Sequence, residues 1–434
     1  ASSTRPSVSA TTFSMIGPSV RHGPHHSAHR STTTGTVFER SMTAVWKVAS
    51  VTSTMPAIVA VGRVVAGSAG RLGRSERTST PMGASVAADV EGIDRAGVTG
   101  WFEQHVPAAS APLEFDLIAG GHSNLTFRVT DANGRRWVLR RPPLGQVLAT
   151  AHDMGREHRI ISALGPTDVP VPPVVGLCTD DAVNGAPFYV MEYVDGLVVR
   201  SQQEAEALTP EQRRRASESI VDVLAAIHAV DVDAVGLGDL GRKEDYIARQ
   251  LRRWYGQFQS SEEQVEGGLD LPAVHRVHDR LAAAIPPQVG ASIVHGDYRL
   301  DNCMLGDDGA IAAVLDWEIC TLGDPLADVG LLCVYWADPD ETAVMPQASP
   351  TALDGFMRRK ELVERYAAVS GRDLSDLDFY VAFGYWKLTC IIAGVYARYA
   401  GGAMGDVGEE TVAGFRTMVE RLAELAEQAA TDGS

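Results

Sequence analysis

The chain has 434 residues, is 45% apolar and carries a formal charge of −17, which is enough apolar content for one large core or two smaller ones. The charge is uneven, because residues 1–85 hold nine Lys or Arg against two Glu and the other 349 residues therefore carry −24. Such an acidic body argues against nucleic-acid or anionic-membrane partners, which need a basic face. Five cysteines (Cys178, Cys303, Cys320, Cys333, Cys390) are odd in number and form no C-x-x-C pair, so neither a disulfide framework nor a structural zinc site is expected. A reducing, cytoplasmic setting fits best.

Residues 1–87 are expected to be a disordered tail, being Ser/Thr-rich, acid-poor and without sustained periodicity. The uncharged stretch 48–62 contains Pro56 and several hydroxyls and is too short and polar to span a bilayer. Arg-rich, acid-poor composition also describes an organelle transit peptide. Order is expected from residue 88, since "IDRAGVTGWFEQHV" (93–106) spaces Ile93, Val98, Trp101, Phe102 and Val106 along one helical face. Residues 115–141 then read as strand, glycine turn, strand, hairpin, strand. Leu125, Phe127 and Val129 alternate with Thr126, Arg128 and Thr130, and "DANG" supplies an Asn-Gly turn. "ATAHDMGREHRIISALG" (149–165) has helical spacing and ends on Gly165 as a stop, and "APFYVMEYVDG" (186–196) is a short β-rich run. Beyond Gly196 the pattern predicts helices over 209–230, 243–260, 271–284, 354–369, 376–399 and 408–429, with strands at 292–295 and 311–316.

Those two strands bracket "HGDYRLDN" and a following "AAVLDWE". Asp297 and Asn302 are five residues apart, and Asp316 ends an apolar run fourteen residues later. A carboxylate that accepts a hydroxyl proton, with an Asn and an Asp offering oxygens to Mg²⁺, are the parts phosphoryl transfer from a nucleotide needs. Such acids sit in an apolar frame because positioning and charge stabilisation accelerate this reaction. A lone His-Gly-Asp also reads as a capped turn. Upstream, "AGGHSN" (119–124) joins two predicted strands. Gly120 and Gly121 allow close backbone approach, while Ser123 and Asn124 can hydrogen-bond phosphate. An ordinary hairpin would look the same.

H-G-D-x-x-x-x-N, then apolar-D-W, then G-D-P-x-x-D resembles the aminoglycoside phosphotransferase family, whose motifs parallel those of protein kinases. The likeness covers about residues 110–430, and "WVLRRPP", "REHRIISAL" and "RRWYGQF" resemble the branch of kinase-like domains fused to acyl-CoA dehydrogenases. The resemblance implies an α+β, two-lobed protein-kinase-like fold. A small antiparallel-sheet lobe (88–195) would bind nucleotide, and a helical lobe (196–434) would carry the catalytic loop and acceptor site. ATP, with GTP as the alternative, and Mg²⁺ would lie between them. Asp297 would be the base, and Asn302 and Asp316 the metal ligands. His295 would shape the loop, while Asp324 and Asp328 would cap a helix and brace the loop. "WVLR" puts Arg140 where the kinase "VAIK" puts lysine, with Arg141 as fallback. Glu157, the only glutamate between 115 and 191, would pair with that cation. The backbone of Glu192, Tyr193 and Val194 would meet adenine.

For the acceptor, "RKEDYIARQLRRWYGQF" (242–258) offers Tyr246, Arg249, Arg253 and Trp254 on a predicted helix. Arg and aromatic side chains suit a carboxylate, a phosphate or a CoA-type head; the alternative is that the aromatics are core and the arginines solvated. Aminoglycosides are polycations and need acidic pockets. The expected reaction is therefore ATP/Mg²⁺-dependent transfer to a hydroxyl of a small molecule, a hydroxyacyl-CoA or another hydroxylated metabolite. A nucleotide-binding pseudokinase or scaffold, a true aminoglycoside resistance kinase and a metal-dependent hydrolase are the rivals. Asp297, Asn302 and Asp316 all persist, against a pseudokinase, and a hydrolase leaves Arg140 and Glu157 without a role. No nucleic-acid or membrane partner is expected, and nothing in the pattern sets an oligomeric state.

Overall fold

The computed structural model describes residues 90–119, 124–144, 153–341, 349–402 and 408–432. The expected tail, together with Gly120, Gly121 and Ser123, lies outside them. Helix α1 (Arg95–His105) is capped by Asp94, whose carboxylate accepts from Gly97 N at 2.9 Å, and it buries Val98, Trp101 and Phe102. A five-stranded antiparallel sheet follows, ordered β1-β2-β3-β5-β4. Its strands are β1 (Glu114–Ala119), β2 (Leu125–Thr130), β3 (Arg136–Arg141), β4 (Val174–Cys178) and β5 (Phe188–Glu192).

Period-two alternation divides the sheet's side chains between two cores. Phe127, Val129, Trp137, Leu139, Phe188 and Val190 pack with α1, whereas Val138, Tyr189 and Met191 join a larger core that continues into the helical part. The hairpin between β2 and β3 is longer than a two-residue turn. Asp131 organises it by accepting from Asn133 N and Arg135 N at 2.9 and 2.8 Å, and Gly134 takes a left-handed φ of +82°.

Helix α2 (Met154–Leu164) is capped by Asp153 and turns Glu157 inward with Ile160, Ile161 and Leu164. It ends at Gly165 as expected, yet with φ −51° the glycine is right-handed, so no left-handed stop operates there. The short α3 (Asp181–Asn184) links β4 to β5. After β5 the chain crosses over and Leu197 pairs with Leu305 through backbone bonds of 2.9 and 2.8 Å. Gly196 permits that approach, because a Cβ there would lie 2.5 Å from Leu305 O.

The rest is mainly helical: α4 (Gln202–Glu206), α5 (Pro210–Ala229), α6 (Tyr246–Gln264), α7 (Pro272–Ala283), α8 (Leu326–Tyr335), α9 (Arg359–Ser370), α10 (Leu377–Ala400) and α11 (Glu409–Asp432). Two small ladders interrupt it, β6 (Ser292–Val294) with β9 (Thr321–Gly323) and β7 (Cys303–Leu305) with β8 (Ile311–Val314). Capping boxes at Ser201/Glu204 and Thr209/Gln212 start α4 and α5. Helix α10 is apolar on nearly every side and long enough to cross a bilayer, and 83% of its apolar window is buried by the surrounding protein. It meets α8 closely at Gly330, where a Cβ would come within 2.5 Å of the Tyr380 carbonyl. All five cysteines are buried free thiols.

Candidate active site

Strand β6 delivers His295 and Gly296 to a loop whose shape is fixed from below by α8. Asp328, in the first turn of α8, accepts from His295 N at 2.7 Å and Gly296 N at 2.9 Å. Gly296 has φ +85°, a region that favours glycine, and a Cβ would press on Ile319. The His295 ring accepts from Asp297 N–H on Nδ1 (3.3 Å) and meets Leu315 O through Nε2 (3.0 Å), so a ring protonated on Nε2 satisfies both. Burial alone would raise the Asp328 carboxyl, but His228, His295 and the Gly296 N–H outweigh it and hold the group below its ordinary range. Asp324 accepts from Leu326 N at 3.1 Å and from Tyr380 Oη at 2.7 Å, tying the start of α8 to α10.

An expected outcome follows for Asp328. A carboxyl that titrates lower when folded contributes fully above its unfolded pKa of about 4, and that contribution is lost as pH falls through the lower folded value. Asp328→Asn keeps one acceptor for two buried N–H groups and should cost about 1–3 kcal/mol near neutral pH. Melting temperatures from pH 3 to 7 should show the gap to wild type closing on acidification. A constant gap would contradict this account.

The Asp297 carboxylate is fixed on both oxygens. Oδ2 accepts from Asn302 Nδ2 at 2.9 Å and lies 3.3 Å from Arg299 Nε, while Oδ1 accepts from Tyr335 Oη at 3.1 Å. Asn302 Nδ2 also donates to Asp297 O at 2.8 Å, which commits the amide nitrogen and leaves Oδ1 without a donor among the described residues. Arg299 spans to Asp301 Oδ2 at 2.8 Å and lies over the Tyr335 ring at 5.1 Å. Strands β7 and β8 keep the next two residues together: Cys303 pairs with Val314, and Leu315 N donates to Asn302 O at 2.8 Å. Asp316 then follows with φ +65°, a strained value for a residue with a Cβ.

Above this loop, the sheet presents Arg140. Its Nε is 3.1 Å from Glu157 Oε2, and its Nη2 is 2.7 Å from Asp316 Oδ1 and 3.5 Å from Glu318 Oε2. Asn124 Nδ2 reaches the same Glu318 oxygen at 3.2 Å. The Arg140 side chain is 8% exposed and that of Glu157 is 2% exposed. Burial alone would lower the guanidinium pKa, but Glu157, Asp316, Tyr189 and Glu318 drive it well above its ordinary value. Arg141, the fallback cation, instead donates to the carbonyls of Gly92 and Asn184. At the crossover, Glu192 N donates to Pro173 O at 2.8 Å and its carboxylate pairs with Arg135 at 2.9 Å. Arg136 lies 4.4 Å over the Tyr193 ring, and Val194 is half-buried beside it.

The acceptor candidates divide. Tyr246 is 3% exposed and packs on Gly323, where a Cβ would be 2.3 Å from its ring. Trp254 is 4% exposed with its indole N–H donated to Gln250 at 2.9 Å. Both are packed among buried residues; at the buried edge of an amphipathic helix, core and pocket share one periodicity. Arg249 is half-buried and donates to Arg242 O at 2.8 Å, and Arg253 is exposed over Trp254 at 4.9 Å. Sequence reasoning missed Arg299, Glu318, Tyr335 and Lys387. Lys387 Nζ donates to Gly296 O at 3.1 Å and lies 5.8 Å from the Trp254 ring. Its signal was available, since it is the only charged residue between 379 and 397.

The profile of the phosphotransferase enzyme family, APH, matches residues 114–369. Mouse acyl-CoA dehydrogenase family member 10 is 34% identical over 328 residues, 74% of this chain and 30% of that protein. Human acyl-CoA dehydrogenase family member 11 is 30% identical over 340 residues, 76% of this chain and 42% of its own length. The chain thus spans less than half of these relatives. A Ralstonia eutropha crystal structure, provisionally called an aminoglycoside phosphotransferase, is 32% identical with a TM-score of 0.65 and covers 78% of this chain and 99% of that one. Choline kinase from Cryptosporidium parvum shares the fold at a TM-score of 0.52 and 13% identity, covering 78% of this chain and 98% of its own. With a family match over more than half its length, an antiparallel sheet set on a helical body and the motif residues gathered where sheet and helices meet, the chain belongs to the APH phosphotransferase family and has its kinase-like fold.

Proposed function

We propose that the chain transfers the γ-phosphoryl group of ATP, with Mg²⁺, to a hydroxyl of a small metabolite. The observation that carries this reading is the single buried network in which Arg140 of β3 joins Glu157 of α2 to Asp316 of the catalytic region. The residues present fit a hard cation, because the unengaged Asn302 Oδ1 and the Asp316 carboxylate are oxygen donors held close by the β7–β8 ladder. Mg²⁺, when bound, supplies charge neutralisation at the β- and γ-phosphate oxygens. Asp297 orients the acceptor hydroxyl and takes its proton, while Asn302 and Tyr335 hold that carboxylate in place. Arg140, steadied by Glu157, offers its guanidinium to phosphate. Asn124 would border the phosphates, and the backbone from Glu192 to Val194 the adenine edge, with the Glu192 N–H already given to Pro173 O.

For the acceptor, Lys387 and Arg253 bring positive charge beside the catalytic loop, while Arg299 is already paired with Asp297 and Asp301, and those two cations suit an anionic group better than a polycation. A small hydroxylated metabolite fits, and a hydroxyacyl group on CoA is the first candidate given the names of the relatives. Asp316→Asn tests the metal role. Calorimetry with and without Mg²⁺ should show the metal-dependent part of ATP affinity falling about tenfold or more. Unchanged metal dependence would remove Asp316 from the site.

A further inference from the structure

We propose that Lys387 is an acceptor-binding residue that holds an oxyanion, a carboxylate or phosphate oxygen, carried by the molecule that is phosphorylated at Asp297. The proposal rests on the phosphotransferase reading above and extends it to the substrate class. Lys387 projects from the middle of α10 and is 7% exposed. Burying an ammonium is costly unless its charge and its donors are matched. It has three N–H donors, and among the described residues only Gly296 O receives one. No carboxylate among those residues comes within ion-pair distance of it. Asp328 and Asp297 influence it from further away, but each is already engaged, Asp328 with two backbone N–H groups and Asp297 with Asn302, Arg299 and Tyr335.

A lysine that only braced the Gly296 carbonyl would leave two buried donors unmatched. The surroundings point the same way. Lys387 and Arg253 both lie against the Trp254 indole, at 5.8 and 4.9 Å, and the two like charges disfavour one another. Burial and Arg253 both push the ammonium below its ordinary pKa, against the pull of the aspartates. A bound oxyanion would accept the spare N–H groups and screen the two cations. Gly296 immediately precedes Asp297, so the anionic group would sit beside the reacting hydroxyl rather than at a distant end of the acceptor.

The test uses the full chain with Mg·ADP and four probes that share a three-carbon skeleton: glycerate, glycerol 3-phosphate, glyceramide and glycerol. Binding is followed by ligand-observed NMR. The oxyanion probes should bind at least about tenfold more tightly than the neutral pair, as when a buried polar partner is matched rather than left unpaired. Whichever of glycerate and glycerol 3-phosphate carries the preference identifies carboxylate or phosphate. Lys387→Met should erase the preference while Mg·ADP affinity stays at the wild-type level, and Lys387→Arg should keep part of it. If the Met variant does not fold, the wild-type preference and its change in Lys387→Arg decide. Equal binding of charged and neutral probes, no binding of any probe, or a preference that survives Lys387→Met overturns the assignment. Loss of Mg·nucleotide binding by the wild type would instead overturn the phosphotransferase reading itself.

Discussion

Asp297→Ala is expected to lower kcat by about 10²–10⁴-fold and to leave Mg·ATP affinity at the wild-type level. The carboxylate touches Asn302, Arg299 and Tyr335, all in the helical part, and no residue of the sheet that would hold the nucleotide. Its removal would take away the proposed proton acceptor while leaving the Arg140, Glu157 and Asp316 contacts in place. Arg299 keeps Asp301 as a partner at 2.8 Å, so the loop retains a counter-charge. Asp297→Asn is the companion variant, because the amide fits the same space but cannot take the proton. Pre-steady-state phosphoryl transfer and nucleotide calorimetry on both variants separate chemistry from binding. Transfer rates within a few-fold of wild type would remove Asp297 from the reaction.

Arg140→Met should produce the largest loss of stability, about 3–5 kcal/mol, because breaking a buried ion pair strands the remaining charge. Here it strands several: Glu157, Asp316 and Glu318 would face one another without their shared cation. Arg140→Lys restores charge but not the planar fork that meets Glu157 through Nε and Asp316 through Nη2, so it should fall between the two. Glu157→Gln placed in the Arg140→Met background should recover part of the loss, which a double-mutant cycle in urea would measure as coupling. Additive effects with no coupling would show that the network does not act as a unit.

Much of this arrangement was legible in the sequence, for definite reasons. Alternation exposed β2, and helical spacing marked α5, α6, α7 and α10 to within a few residues. The motif residues Asp297, Asn302 and Asp316 lie close in sequence, so their spacing alone brings them together. Helix α8 was less readable, because all of its residues from Leu326 to Val334 are buried and no polar face marks its period. Strands β7 and β9 have three residues each, too few to show alternation. The contacts of Glu318, Tyr335 and Lys387 join segments far apart in the chain, and Glu318 meets Asn124 across 194 positions. For Tyr246 and Trp254, periodicity identified the inward face of the helix without telling core from pocket.

The most direct measurement of the central claim is ³¹P NMR of the wild-type chain with Mg·ATP and a panel of hydroxyacyl-CoA esters, hydroxy acids, sugars, choline, macrolides and aminoglycosides. The account predicts a new phosphate monoester resonance with a hydroxylated acceptor from the non-polycationic part of the panel, growing as ADP appears and growing about a hundredfold or more slower for Asp297→Ala. ATP that stays intact throughout would point to a pseudokinase, and inorganic phosphate as the sole product to a hydrolase. Either result would contradict it.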